Sequence, residues 1–366
     1  MKKSSSLRAL FFRFTGLVAC GVALRAAGGS APVQLQRIGD TPIVREEMLS
    51  GEDGASLNGP TMMRVPSWVK YPLGKYYLYF AHHAGKYIRL AYTDNLEGPW
   101  KIYEGGVQQL ADQTALVGHI ASPEVVVNEK RHQIYLFYHG GNPAKSPTKD
   151  KDAAEGEGGQ LTAVSVSDDG LHFKALNVIV GPAYLRVFGY GGHWYALNHS
   201  GMLRTTAQLG EPFQPLIRII GPEIAAAVDP ARLGEPGAVP EENRPPNGPF
   251  RYSIRHIGTD VAGDRLFIYF SCVGHRPERI LGTVVDLKGP PEKWQARGVF
   301  EVLRPEREWE GAKYPLAYSN GGISRTKVNE LRDPAIFREG GATWLLYTTS
   351  GEHGLGLAKL SYTASP

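Results

Sequence analysis

Short apolar runs punctuate the chain: YYLYFAHH (76–83), QIYLFYHG (133–140), HWYALNHS (193–200), RLFIYFSC (265–272) and TWLLYTTS (343–350). Each is rich in aromatic or β-branched residues and follows a turn-forming cluster, respectively KYPLGK, NEKR, GYGG, AGD and REGGA. That combination marks the second strand of a hairpin. A shorter strand precedes each turn (MRVPSWV, ASPEVVV, YLRVF, IGTDV, RDPAIF), and a third follows each run, as in YIRLAYTDNLEGPW, LTAVSVSDDGLHF, MLRTTAQLGEPF, ILGTVVDL and GLGLAKLSY. The pattern predicts five successive meanders.

The units start near residues 64, 121, 185, 257 and 332, a spacing of roughly 57 to 75 residues. This is too long for helical solenoid repeats and suits propeller blades with inserted loops. One meander cannot hide both faces of its sheet, so neighbours must stack. The expectation is an all-β fold, a five-bladed β-propeller over residues 31–366, with residues 1–30 set apart. The segment from about Val33 to Glu47 is placed as an extra strand that latches the last blade. Three stretches fit no blade and are expected as loops. They are a charged, glycine-rich flap (141–160), a proline-rich stretch (221–250), and 301–330, whose Trp309, Tyr314 and Tyr318 offer aromatic surface to wall a pocket.

Facing residues of an antiparallel hairpin have numbers that total a constant set by the turn. With the second unit turning around Asn128 to Arg131 the constant is near 259, and His119 with His139 gives 258. The two histidines are therefore expected opposite each other, Cβ atoms ~5 Å apart. In the first unit a turn at Tyr71 to Gly74 gives a constant near 145, which sets Arg64 against His82, total 146. Aligning the second strands as FAHH, FYHG, LNHS, FSCV and YTTS puts His82, His139 and His199 at equivalent positions, with His83 beside the first. The inner-strand starts supply Arg64, His119, Tyr184, Arg186, Arg332 and Asp333. In a propeller both sets lie on one face around the central channel. A single histidine at a strand end is ordinarily a hydrogen-bonded structural residue; the convergence of the whole set on a concave mouth points to ligand binding.

Composition narrows the setting. MKKSSSLR is basic, ALFFRFTGLVACGVAL mostly apolar and RAAGGSAP small and polar, the plan of a signal peptide over residues 1–30. Leu17-Val18-Ala19-Cys20 resembles a bacterial lipobox, which would put a lipid on Cys20; ordinary cleavage near Ala26-Ala27 is the other reading. Either predicts a secreted or periplasmic protein. Removal of Lys2, Lys3, Arg8, Arg13 and Arg25 turns the formal charge of +4 into −1, which argues against nucleic acid as a partner. Cys272 is left alone, so neither a disulfide framework nor a Cys/His zinc site is available. No later run approaches the ~20 apolar residues of a membrane span.

The stretches RDPAIFREGGATWLLYTTSGEHGLGLAKL and YYLYFAHHAGKYIRLAYTDNLEGPW resemble blades of the five-bladed β-propeller glycosidases, the superfamily of glycoside hydrolase families 43, 32, 62, 68 and 117. The resemblance extends over about residues 60 to 362 and implies an enzyme acting on glycosides. Family 43 enzymes take a carboxylate base, a second Asp and a Glu acid from successive inner-strand starts. Here Val65 precedes the blade-one proline, Ser122 the blade-two proline, and blade three offers Leu185-Arg186. Only Asp333, in an Arg332-Asp333-Pro334 similar to the Arg-Asp-Pro motif of family 32, keeps an acid. The usual two-carboxylate mechanism therefore does not map onto this chain.

Two enzymatic readings follow. In the leading one, a hydrolase, Asp333 orients or deprotonates water while His139 or His119 protonates the leaving oxygen, resembling family 117, where a His serves as acid. In the other, similar to propeller ulvan lyases, His119 or His139 abstracts the proton beside a uronate carboxylate, Tyr184 protonates the leaving oxygen, and Arg186 or Arg64 neutralises the acid. A third reading is sugar binding without turnover, or a cation held by His82, His139 and His199. Catalysis is thus assigned to His119, His139, Tyr184 and Asp333, and substrate binding to Arg64, His82, His83, Arg186, His199 and Arg332. The expected partner is an acidic or unusual polysaccharide or oligosaccharide, met by a monomer without a cofactor, a structural cation in the channel staying open.

Overall fold

The aromatic runs become the second strands of five antiparallel sheets: Tyr76–Ala81, Gln133–Gly141, His193–Leu197, Arg265–Cys272 and Ala342–Thr348. The computed structural model of the protein describes residues 32–144, 159–221, 224 and 254–362. Before each aromatic strand stands an inner one: Asn58–Arg64, Val117–Asn128, Arg186–Tyr190, Ile254–Ala262 and Arg332–Glu339. These inner strands touch one another in cyclic order, the last returning to the first, so the five sheets are blades of a closed propeller.

Blades one to four each have a further strand that the apolar pattern does not announce. Lys101–Gln109, Lys174–Pro182, Gln214–Arg218 and Ala296–Leu303 complete blades one to four. In KIYEGGVQQ most side chains are exposed or half-buried, because an outermost strand has few neighbours to hide against. Blade five takes its fourth strand from the other end of the chain. Val33–Arg37 pairs antiparallel with Gly354–Tyr362, in unbroken register from Val33 opposite Tyr362 to Arg37 opposite Ala358. The expected latch is therefore real. Arg37 fixes it with two hydrogen bonds to the buried carboxylate of Glu310, at 2.7 and 3.0 Å.

The core is five wedges, one between each pair of neighbouring blades. Tyr77, Tyr79, Leu136 and Tyr138 fill the wedge between blades one and two. Leu266, Ile268, Phe270 and Trp294 face blade three across another. Trp309 stacks on Tyr347, centroids 6.5 Å apart, beside the wedge between blades four and five. It thus serves packing, where the sequence suggested a pocket wall.

Blade one departs from the expected register. Its hairpin turns earlier, with Arg64 opposite Tyr76 and the Val65 N–H bonded to the Lys75 carbonyl. MRVPSWV is mostly turn, not strand. The expected leader with Cys20, residues 145–158 of the first loop, and all but Gly221 and Ile224 of the second lie outside the described residues. No helix among the described residues is long and apolar enough to cross a membrane.

Candidate active site

Four inner strands begin with the same irregularity. Pairing jumps from Asn58–Ala81 to Thr61–Tyr79, from Ala121–His139 to Glu124–Phe137, from Ile254–Cys272 to Ile257–Phe270, and from Arg332–Thr348 to Ala335–Leu346. Each jump inserts one extra residue, a β-bulge, which redirects side chains. The first unpaired residues are Gly59, Ser122, Arg255 and Asp333, and the same offset from the Arg186–Leu197 pair picks out Tyr184. Gly59, Ser122, Tyr184 and Asp333 all have left-handed backbone, φ 55°, 42°, 65° and 51°, strained for the last three and retained where packing dictates it. The blade-one member of this ring is Gly59, before Pro60, and not Val65.

Aromatic rings converge around Tyr184. Its centroid lies 4.3 Å from His139, 4.3 Å from His256 and 5.4 Å from His199, all edge to face. His139 in turn meets His119 at 5.5 Å. The Cα partner of His139 is Ala121, but a second register shift between Val117 and Ile120 carries His119 back to the ring it was expected to face. On the other side of Tyr184, His256 Nδ1 shares a short hydrogen bond with Asp333 Oδ1, and Asp333 Oδ2 accepts the Gly59 N–H at 3.2 Å.

The site has a graded electrostatic character. Burial, reinforced by His119, His256, His83 and Arg186, pushes the His139 imidazole well below its ordinary value, so it is neutral near pH 7. Burial, His83 and Lys86 lower His119 in the same direction. Burial and the Asp333 charge push the Tyr184 hydroxyl up to about 12. Burial would raise Asp333, yet His256, Arg255 and Arg332 outweigh it and hold the carboxyl well below the usual carboxylate range. The buried Nδ1 of His139 and Oγ of Ser122 have no hydrogen-bond partner among the described residues.

The remaining sequence-assigned residues divide. Arg64 is not at the mouth: it sits at the turn end of its strand, largely exposed, paired with Glu339. His82 is not equivalent to His139 and His199, because the blade-one residue at that place is Ala81; His82 Nδ1 accepts the Ala84 N–H at 3.0 Å and closes its own turn. Arg186 is buried across blades two to four, donating to Glu124 (2.7 Å), the Pro123 carbonyl and the Ile257 carbonyl (2.9 Å each). Its charge is already compensated. Arg332 is likewise buried, bonded to Glu330 at 2.7 Å and Glu352 at 3.1 Å. His83, half-buried, reaches Glu352 at 3.2 Å. The three-histidine cation site is not assembled, and no other group of three metal-ligating side chains stands close enough among the described residues.

His256 is the residue that sequence reasoning missed. It immediately precedes IGTDV, where the blade-four strand was taken to begin. Arg255 was missed for the same reason; its guanidinium grips the buried Glu278 at 2.8 and 2.9 Å.

The fold and mouth define a five-bladed β-propeller with a histidine–tyrosine–aspartate centre. No family model matches the chain. Uncharacterized protein R118 of Acanthamoeba polyphaga mimivirus is 29% identical over 328 residues, which cover 84% of this chain and 85% of that one. Among solved structures, a family 43 β-xylosidase/α-arabinofuranosidase from a compost microbial metagenome, in complex with xylotriose, aligns with TM-score 0.52 and 13% identity over 90% of this chain and 95% of that one. A family 43 enzyme of Xanthomonas citri, complexed with xylose, aligns with TM-score 0.51 and 12% identity over 88% and 90%. At such identities the likeness is one of fold: this chain has the five-bladed architecture on which those glycosidases are built.

Proposed function

We propose that the protein is a glycoside hydrolase acting on an acidic or otherwise unusual poly- or oligosaccharide, with His256 and His139 moving protons on either side of Tyr184. The observation that carries this reading is the position of Tyr184, 4.3 Å from a neutral His139 and 4.3 Å from an Asp333-bound His256. The fold shared with family 43 glycosidases supports it by analogy. Asp333 is engaged on both oxygens, so it acts as the orienting residue and not as the base.

Because Asp333 accepts from Nδ1, the proton His256 exchanges is on Nε2. An imidazolium at His256 gives that proton to the glycosidic oxygen as the C–O bond breaks. His139 takes a proton from the attacking water, whose hydroxyl goes to the anomeric carbon. Each imidazole ends one proton from its starting state, and exchange with solvent resets both. The basic, apolar and small-residue plan of residues 1–30 supports placing this activity in a secreted or periplasmic protein, or one anchored through Cys20.

The contact between His139 and Tyr184 also favours a second reading, β-elimination on a uronate. His139 takes the proton beside the carboxylate, and Tyr184, protonated at neutral pH, gives its hydroxyl proton to the glycosidic oxygen as that oxygen leaves. One assay separates these: incubation with a panel of neutral and uronate glycans, reading new reducing ends and the ultraviolet absorbance of a conjugated unsaturated uronate. Reducing ends without absorbance support the hydrolase; absorbance identifies the lyase. Neither signal across the panel overturns both and leaves a sugar-binding propeller.

A further inference from the structure

The residues first assigned to neutralise a substrate carboxylate are unsuited to it, since Arg64 lies at the far end of its strand and Arg186 is buried against Glu124. The other arginines nearby are also committed. Arg255 and Arg332 hold Glu278, Glu330 and Glu352, and Arg89 donates to the Ser56 carbonyl at 2.9 Å and to Asp53 at 3.1 Å. The carboxylates are equally engaged, Asp333 by His256 and Gly59, Glu352 by His83, Arg332 and Ser56.

Lys86 is different. It follows the turn between the second and third strands of blade one; the Ile120 N–H bonds to the Gly85 carbonyl at 2.9 Å and so pins that turn to blade two, while the Leu110 N–H, just after blade one's own fourth strand, bonds to the Lys86 carbonyl at 2.7 Å. The exposed ammonium donates to the carbonyl of Gly118, the residue before His119. That uses one of its three donors. Neither Lys86 nor His119 has a carboxylate partner among the described residues. His119 then leads inward, through the 5.5 Å ring contact, to His139 and Tyr184.

We infer that Lys86 and His119, on the rim between blades one and two, form a subsite for the carboxylate of an acidic sugar, holding it beside His139 and Tyr184. This deepens the glycan-cleaving reading and rests on it. An ammonium acts as a point charge and tolerates a range of carboxylate orientations, while His119 contributes a ring nitrogen as a donor. A neutral sugar draws nothing from Lys86, so the pair selects uronate residues over uncharged ones.

Calorimetric titration with oligogalacturonates and oligoglucuronates, each against its methyl ester, tests this without requiring turnover. The expected result is binding of at least one acid form, weakened by salt, with the ester about tenfold weaker or more. Lys86→Met and His119→Gln should each weaken acid binding by about tenfold and leave ester binding unchanged. Arg64→Met, a cation removed from the far end of blade one, should change neither, and melting curves confirm that each variant is folded. Equal binding of acid and ester, acid binding indifferent to Lys86→Met, or no binding of any oligouronate overturns the inference. Oligouronates bound in this way but never cleaved would sink the cleavage reading alone. Neutral glycans cleaved with no preference for uronates would sink the subsite alone.

Discussion

Asp333 holds His256 by its Nδ1, and its second oxygen accepts the Gly59 N–H at 3.2 Å. One carboxylate therefore ties blade five to blades four and one while fixing which nitrogen of the imidazole carries the exchangeable proton. Asp333→Asn removes the charge and presents an amide that can favour the wrong tautomer. Turnover should fall about a hundredfold or more, as when comparable His–carboxylate pairs are broken. Steady-state kinetics on a cleaved substrate checks it.

The same carboxyl makes an acid-stability prediction. Its folded-state value lies well below the ordinary one of about 3.9. The unfolded chain therefore takes up the proton first as pH falls. The stabilisation is fully present above about pH 4 and is lost below it. Denaturant titrations between about pH 5 and pH 2 should show a shallower decline for Asp333→Asn than for the unsubstituted protein.

His139 has its own window. Burial lowers its folded value well below the ordinary one of about 6.5, so the unfolded state binds a proton more readily. Its contribution is complete above about pH 6.5 and declines as pH falls below that. His139→Phe, which keeps the ring volume and abolishes the titration, should narrow the difference in melting temperature between weakly alkaline and weakly acidic buffer. It should also abolish turnover, because no proton acceptor remains there.

Gly59 admits no side chain. A Cβ there would lie 2.5 Å from Ser122 Cα, and its φ is 55°. Gly59→Ala should cost about 2 kcal/mol or more in chemical denaturation, from overpacking and backbone strain together. Gly105→Ala also has positive φ, 81°, but nothing within 4 Å. It should cost only about 1 kcal/mol.

The latch is tested at Arg37. Arg37→Met leaves the Glu310 carboxylate, buried with 0% exposure, without its cationic partner. Loss of about 3 kcal/mol or more is expected, and Arg37→Met combined with Glu310→Gln should recover part of it. Double-mutant denaturation curves measure that coupling.

Blade number, aromatic second strands and the latch were legible because alternation and turn chemistry are local signals. The inner-strand starts were not, because counting across a hairpin assumes an unbroken ladder. In blade two the paired numbers total 261 at Val125–Leu136 and 260 at Ala121–His139, a slide of one residue for the bulge between them. A second shift then brought His119 to His139 for a reason that counting did not contain. In blade one, apolar VPSW imitated a strand and moved Arg64 to the wrong end. Had RDPA been superimposed on IRHI with the bulge included, Arg255 would have taken the place of Asp333 and His256 that of Pro334. The buried pairs of Glu278, Glu330 and Glu352 were beyond reach, because several of them join residues from different blades and loops.

The strand Val33–Arg37 is synthesised before the inner strands of all five blades, and its partner Gly354–Tyr362 after them. Most of the propeller therefore emerges from the ribosome before its first strand has anywhere to dock. Until then Val33–Arg37 has no strand to pair with, and an unpaired strand edge is the kind of surface on which nascent chains stick to one another. The hazard of misassembly lasts until Gly354–Tyr362 is made, and a five-residue segment brings it to an end by docking there.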